Sequence, residues 1–161
     1  KKPFSEIWNY QQIELGYNYR MADINAALGL SQLKRLDRYI KKRHKIAKFY
    51  DSKLRNLPLK TPFQSKYSYS SYHLYPIRIQ NVFKKKTQKQ IYAELRSKYI
   101  EANILYAPVH RHPYYENLGF KKNAFPEAEL FHKEAICLPM FPTLKKKQQE
   151  FVIKSLYSAF E

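Results

Sequence analysis

The chain has 161 residues, 44% of them hydrophobic, which suits one domain with its own core and is too short for two of ordinary size. Thirty basic residues against 13 acidic ones give a formal charge of +17, so nucleic acid, phosphorylated ligands and anionic membranes are the partners that charge alone brings forward. The charge is spread over the whole length, whereas a nucleic-acid module concentrates it, so a lysine-rich composition is the preferred explanation and nucleic acid is not expected. A single cysteine, Cys137, excludes an internal disulfide and favours the cytoplasm, and no apolar run approaches the roughly 20 residues that span a bilayer.

Residues 1–20, KKPFSEIWNYQQIELGYNYR, show neither helical nor strand periodicity and read as a linker from a larger protein. From Met21 the apolar residues Ile24, Leu28, Leu33, Leu36, Ile40, Ala47, Tyr50, Leu54 and Leu57 recur at helical steps. They predict a long amphipathic helix, bent near Gly29 and stopped by Pro58, with Asp23 at its cap or in its first turn. Lys34, Arg38, Lys41, Lys45 and Lys48 make a stripe on another face, read as solvated, with Asp51 and Arg55 as an i,i+4 pair. Residues 58–71 are loop. A strand is expected over 74–79, demoted to an edge or a bulge by Pro76. Thr87 and Gln90 form a capping box for a helix to about Lys98 whose buried side is Ile91, Leu95 and Tyr99. NILYAPV, 103–109, reads as a short strand, followed by a loop rich in His, Pro and Tyr that is too long for a mere connection. Asn123 is the expected cap of a helix through Ala128, Phe131 and Ala135. A strand at 136–138 follows, and Thr143 caps a last helix with Val152, Leu156 and Phe160 inward and Lys145, Lys146 and Lys147 in water. The sum is an α+β layer of helices on about three short strands.

Three stretches offer chemistry. In LGYNYRMAD, Asn18 brings amide donors and Arg20 a planar fork of donors to a helix entrance, where backbone N–H groups and the dipole favour an anion such as a phosphate or carboxylate. Composition alone favours an ordinary surface loop there. His110, Arg111 and His112 with Tyr106, Tyr114 and Tyr115 could recognise a diphosphate or sugar hydroxyls; a metal is not expected, because the H-x-H pair lacks companions at ligand spacing. Ser70, Ser71, Tyr72 and His73 enter a strand, and a lone strand histidine is more often structural than catalytic. A Gly-rich phosphate loop, a G-x-S-x-G elbow and an evident acid pair are all missing.

The segments ELGYNYRMADINAALGLSQLKRLDRYIKKRHKIAKFY, SSYHLYPIRI, YAPVHRHPYY and FPEAELFHKEAICLPMFPTL together resemble the C-terminal part of the sugar-nucleotide aminotransferases of the DegT/StrS group, fold-type I pyridoxal-phosphate (PLP) enzymes. Within the group, SSYHLYPI and PVHRHPYYENLGF are most similar to the transaminases of pseudaminic acid biosynthesis. The resemblance implies the small domain of such an enzyme over residues 21–161 and a homodimer with active sites at the subunit interface. It implies amino transfer from glutamate to C4 of a 4-keto-6-deoxy sugar linked to UDP. By the same resemblance Asn18, with Arg20 beside it, reaches the phosphate of the PLP in the other subunit. His110, Tyr106 and Tyr114 line the sugar-nucleotide pocket, and His73 is a motif residue counted with them. The family's Schiff-base lysine and its partners match nothing here, so the chain alone is expected to be inactive. A basic nucleic-acid or polyanion module and a non-catalytic dimerisation scaffold are the rival readings.

Overall fold

The computed structural model describes residues 14–17, 19–80 and 86–161. They belong to two compact units that divide between Arg35 and Leu36. In the first unit residues 19–22, without regular secondary structure, lead into α1 (Asp23–Leu33), which buries none of its side chains. Ala22 stands at its N-cap without a side-chain bond to the first-turn amides, and Asp23 occupies the first turn. The expected long helix is therefore interrupted, though not at Gly29, which lies within α1 with open space where a Cβ would be. The break is at Lys34 and Arg35. The Arg35 amide donates to the Gln32 carbonyl at 2.9 Å, three residues back instead of four, a tightening that ends helices.

The second unit begins with α2 (Leu36–Leu54), which buries Ile46, Ala47, Tyr50 and Leu54 at three- and four-residue steps. Arg38, Lys41, Lys45 and Lys48 are exposed along it. Asp51 accepts the Tyr75 hydroxyl at 2.5 Å instead of pairing with Arg55. The sheet has three antiparallel strands in the order β1 (Leu59–Lys60), β2 (Tyr75–Ile79), β3 (Ala135–Leu138). The strand carrying Pro76 is thus central, not an edge. It tolerates proline because β1 pairs only with Arg78 and Ile79, so Pro76 has a neighbour, Cys137, on one side alone.

Helix α3 (Gln88–Ser97) starts at the Thr87–Gln90 capping box as expected. Tyr99, however, is 96% exposed rather than inward. It is the residue after the C-cap, at φ +58°, where its amide bonds Arg96 O at 3.0 Å and the Ile100 amide bonds Leu95 O at 3.1 Å. That is a Schellman motif with tyrosine in the usual glycine position, sealed by the apolar pair Leu95 and Ile100. The strand expected at 103–109 reduces to one bridge between Asn103 and Cys137. Beyond it the chain leaves the ladder, and the Leu105 carbonyl accepts from His132 Nδ1 at 2.9 Å. A 3-10 turn at Val109–Arg111 and α4 (Pro113–Asn117) organise the His/Tyr loop. Helix α5 (Pro126–Glu134) has Phe125 at its N-cap and proline at N1, so Asn123 is not its cap and Ala135 already belongs to β3. Helix α6 (Lys146–Phe160) begins after Lys145, not Thr143; Gln148 Oε1 reaches back to the Lys145 amide at 2.9 Å.

Alternation along β2 aims Tyr75, Ile77 and Ile79 into one core with Tyr50 and Leu54 of α2, Ile91 and Leu95 of α3, and Val152 and Leu156 of α6. Each fully buried aliphatic side chain there contributes about 1.5–3 kcal/mol. On the other face Arg78 bonds Glu134 of α5 at 2.8 Å and lies over the Phe131 ring. Every residue of β3 is buried, Cys137 among them; desolvation pushes its thiol up to about 11.

Candidate functional site

The segment from Pro108 to Glu129 is shaped by its own turn chemistry. Proline opens α4 at its first position, where the missing N–H costs nothing. Gly119, at φ +98°, closes the helix: its amide bonds Glu116 O at 3.0 Å, the Phe120 amide bonds Tyr115 O at 3.2 Å, and the two rings meet with centroids 6.3 Å apart. Phe125 then stacks towards both Phe120 and His110, with centroids at 6.3 and 4.9 Å. The result is an aromatic groove of about 390 Å³ walled by Pro108, Val109, His110, Tyr115, Phe120 and Phe125.

His110 is buried in its wall, 7% exposed, with Nε2 donating to Glu129 Oε1 at 2.9 Å. The same oxygen accepts the Asn123 amide at 2.6 Å. Asn123 takes φ +66°, a left-handed conformation asparagine tolerates well, and thereby aims its N–H at the carboxylate. The His110 bond is the main cause holding the Glu129 carboxyl below its ordinary range, against burial and with help from the Asn123 amide and the charge of Arg111.

Of the residues singled out from the sequence, His110 and Tyr115 are brought together here, with Tyr114 edge-on to Tyr115 at 5.3 Å. Tyr106 and Tyr114 are exposed. His112 Nε2 donates to the Ala107 carbonyl at 3.3 Å, and Arg111 Nε bonds Glu116 at 2.8 Å, so both brace the loop. His73 is exposed in a different groove, about 430 Å³, with Leu36, Tyr39, Ile40, Arg43 and Ser71, and shares no wall residue with the first. Arg43 Nη1 donates to the carbonyls of Tyr72, His73 and Met140 at 2.9, 3.0 and 2.8 Å. Arg20 is exposed in the first unit, and Asn18 lies outside the described residues. Glu129 and Arg43 went unnoticed in the sequence. Two glutamates in the first turn of α5 read equally well as dipole partners, and nothing local separates Glu127 from Glu129. Among the described residues no group of three or more His, Cys, Asp or Glu is placed to hold a metal ion, and no helix is long and apolar enough to cross a membrane.

Helices packed on a three-stranded antiparallel sheet in this order form the fold of a domain of the fold-type I PLP aminotransferases. Residues 2–157 match the DegT/DnrJ/EryC1/StrS aminotransferase family, and the chain belongs to it. It is 33% identical over 156 residues to the UDP-4-amino-4,6-dideoxy-N-acetyl-beta-L-altrosamine transaminase of Campylobacter jejuni, covering 96% of this chain and 41% of that protein. Helicobacter pylori PseC, an aminotransferase involved in the biosynthesis of pseudoaminic acid, superposes with a TM-score of 0.82 at 30% identity, over 99% of this chain and 42% of that one. The PLP form of the sugar aminotransferase Spr1654 of Streptococcus pneumoniae gives 0.82 at 28% identity, over 94% and 39%. The chain thus spans about two-fifths of the length of the relatives it matches.

Proposed function

We propose that the chain is the C-terminal part of a cytoplasmic PLP-dependent homodimer that moves an amino group from glutamate to C4 of a UDP-linked 4-keto-6-deoxy sugar, in nucleotide-sugar and nonulosonic acid biosynthesis. Residues 1–20 would link it to a larger cofactor domain, and residues 21–161 would be the small domain. The observation that carries the substrate assignment is the aromatic groove around His110, which is hydrogen-bonded to Glu129 and flanked by Tyr115, in a chain of this family. Such a surface combines apolar stacking area with a few fixed polar groups, as sugar and nucleotide pockets do.

The described residues fit the phosphate end of PLP. Arg20 offers a fork of donors just before α1, whose N-cap residue Ala22 gives the first-turn amides no side-chain bond; the sequence places Asn18, outside the described residues, in the same motif. They do not fit its aldehyde end. An amine held for that role needs a desolvated pocket, and every described lysine is at least partly exposed. The group, when bound, supplies the electron sink for amino transfer. This chain's share is to hold a phosphate across the dimer through Asn18 and Arg20, and to seat the sugar nucleotide with His110 and the neighbouring Tyr106 and Tyr114; His73, in its separate groove, is left out of that set.

The test is amino transfer by the full-length protein from glutamate to a UDP-linked 4-keto-6-deoxy sugar, with the GDP-linked sugar in parallel. Formation of one 2-oxoglutarate per amino sugar, preferring UDP, is expected; no transfer to either sugar refutes the assignment. The 161-residue chain alone, treated with PLP and borohydride, should label no single lysine stoichiometrically. In the full-length protein Asn18→Ala should weaken PLP binding about tenfold, the worth of one charge-assisted hydrogen bond, while the fold survives.

A further inference from the structure

The pair His110 and Glu129 is the most enclosed ionisable pair among the described residues, with side chains 7% and 9% exposed, and the family assignment gives Glu129 no task. Its geometry decides a proton. Glu129 Oε1 accepts the Asn123 backbone amide, and its carboxyl, held below the ordinary range, is ionised at neutral pH and can only accept, so His110 must donate. The donated hydrogen sits on Nε2. In the neutral ring, Nδ1 is then the acceptor, and only in the imidazolium does it become a second donor. One oxygen atom therefore selects a tautomer and ties the 3-10 turn at Val109–Arg111 to the turn before α5.

We propose that Glu129 is a positioning residue for the sugar nucleotide: by accepting from His110 Nε2 and the Asn123 amide together, it holds the His/Tyr loop in place and keeps His110 Nδ1 as a hydroxyl acceptor. The proposal rests on the reading that this loop lines the substrate pocket. Glu129 touches no substrate itself. It acts through His110, as the outer partner of a metal-bound histidine fixes that ring's tautomer and orientation.

The experiment uses the full-length protein with histidine ring nitrogens labelled with 15N, in the wild type and in Glu129→Gln, Glu129→Asp, His110→Ala and the double variant. In the wild type, at a pH above the ring's own titration, the His110 signals should show Nε2 protonated and Nδ1 bare. The reverse tautomer overturns the proposal without any variant, so it stays testable even if a substitution fails to fold. Glu129→Gln should shift those signals and raise KM for the sugar nucleotide about tenfold, the worth of one charge-assisted hydrogen bond, while kcat and PLP affinity change less than about twofold. Glu129→Asp, which keeps the charge, should recover part of the loss. His110→Ala should raise KM equally, and adding Glu129→Gln to it should cost nothing more, because the carboxylate acts through the ring. If His110→Ala raises KM and Glu129→Gln does not, Glu129 is only structural and the proposal falls while the pocket assignment stands. If His110→Ala leaves KM unchanged, the loop does not line the pocket and both fall.

Discussion

Arg43→Met keeps the aliphatic stem and removes the guanidinium that joins α2 to two distant backbone segments. Three carbonyls, those of Tyr72, His73 and Met140, converge on Nη1 within 3.0 Å. One nitrogen carries two hydrogens, so at least one N–H is shared and two full bonds set the scale. Bonds from a charged donor contribute about 1.5 kcal/mol each at the low end, which applies because two of the three bonds are half-buried and the one to His73 is exposed, and this gives about 3 kcal/mol. For a chain of this size that corresponds to a fall in Tm of roughly 6–12 °C. Urea titration of the 161-residue chain followed by circular dichroism measures the loss, and amide exchange over residues 61–74 shows whether it is felt at the tied loop. A loss below about 1 kcal/mol, or undisturbed exchange there, would mean that these contacts are replaced by water at no cost and would refute the reasoning.

Three further outcomes are expected. Gln88→Met should cost about 2 kcal/mol in the same titration, because the buried Gln88 amide donates to the His132 and Ala135 carbonyls at 2.9 and 2.7 Å and methionine leaves both unpaired. Tyr99→Gly should stabilise by about 0.5 kcal/mol, since relief of the left-handed tyrosine, about 1 kcal/mol, exceeds the added freedom of the unfolded chain; destabilisation would show that the exposed ring matters. Acid should loosen the His/Tyr loop only late. The Glu129 carboxyl is depressed in the folded state, so its contribution is full above its ordinary value of 4.5 and is lost as pH falls through the lower folded value. The Asn123 amide should therefore stay protected from exchange down to pH 4.5, and loss of protection already at pH 6 would contradict this.

What the sequence disclosed was local. Thr87 and Gln90 stand three residues apart and cap α3 by themselves, and Val152 and Leu156 mark the inner face of α6 by spacing alone. Strand β1 is two residues long and has no periodicity to display. The end of α1 carries neither glycine nor proline, and α3 ends on a tyrosine where a glycine is the usual sign. Asn123 and Thr143 look like caps, yet the helices start later, at Pro126 and Lys146. At the candidate site the clustering of His110 with Tyr115 was visible because the residues are neighbours in sequence. Glu129 is 19 residues from His110, and Met140 is 97 from Arg43. Pairings of that kind are made by the fold, and one residue in isolation carries no mark of them.

The buried cysteine of β3 has a practical consequence. At neutral pH a thiol pushed up to about 11 holds almost no thiolate, and maleimides and disulfide reagents react with thiolate. A cysteine placed at exposed Tyr106 or Tyr114 would thus be the one group in the chain to take a fluorophore or spin label, with Cys137 left as it is. In the dimer proposed above, distances between such labels on two subunits would then report directly how the two loops are arranged.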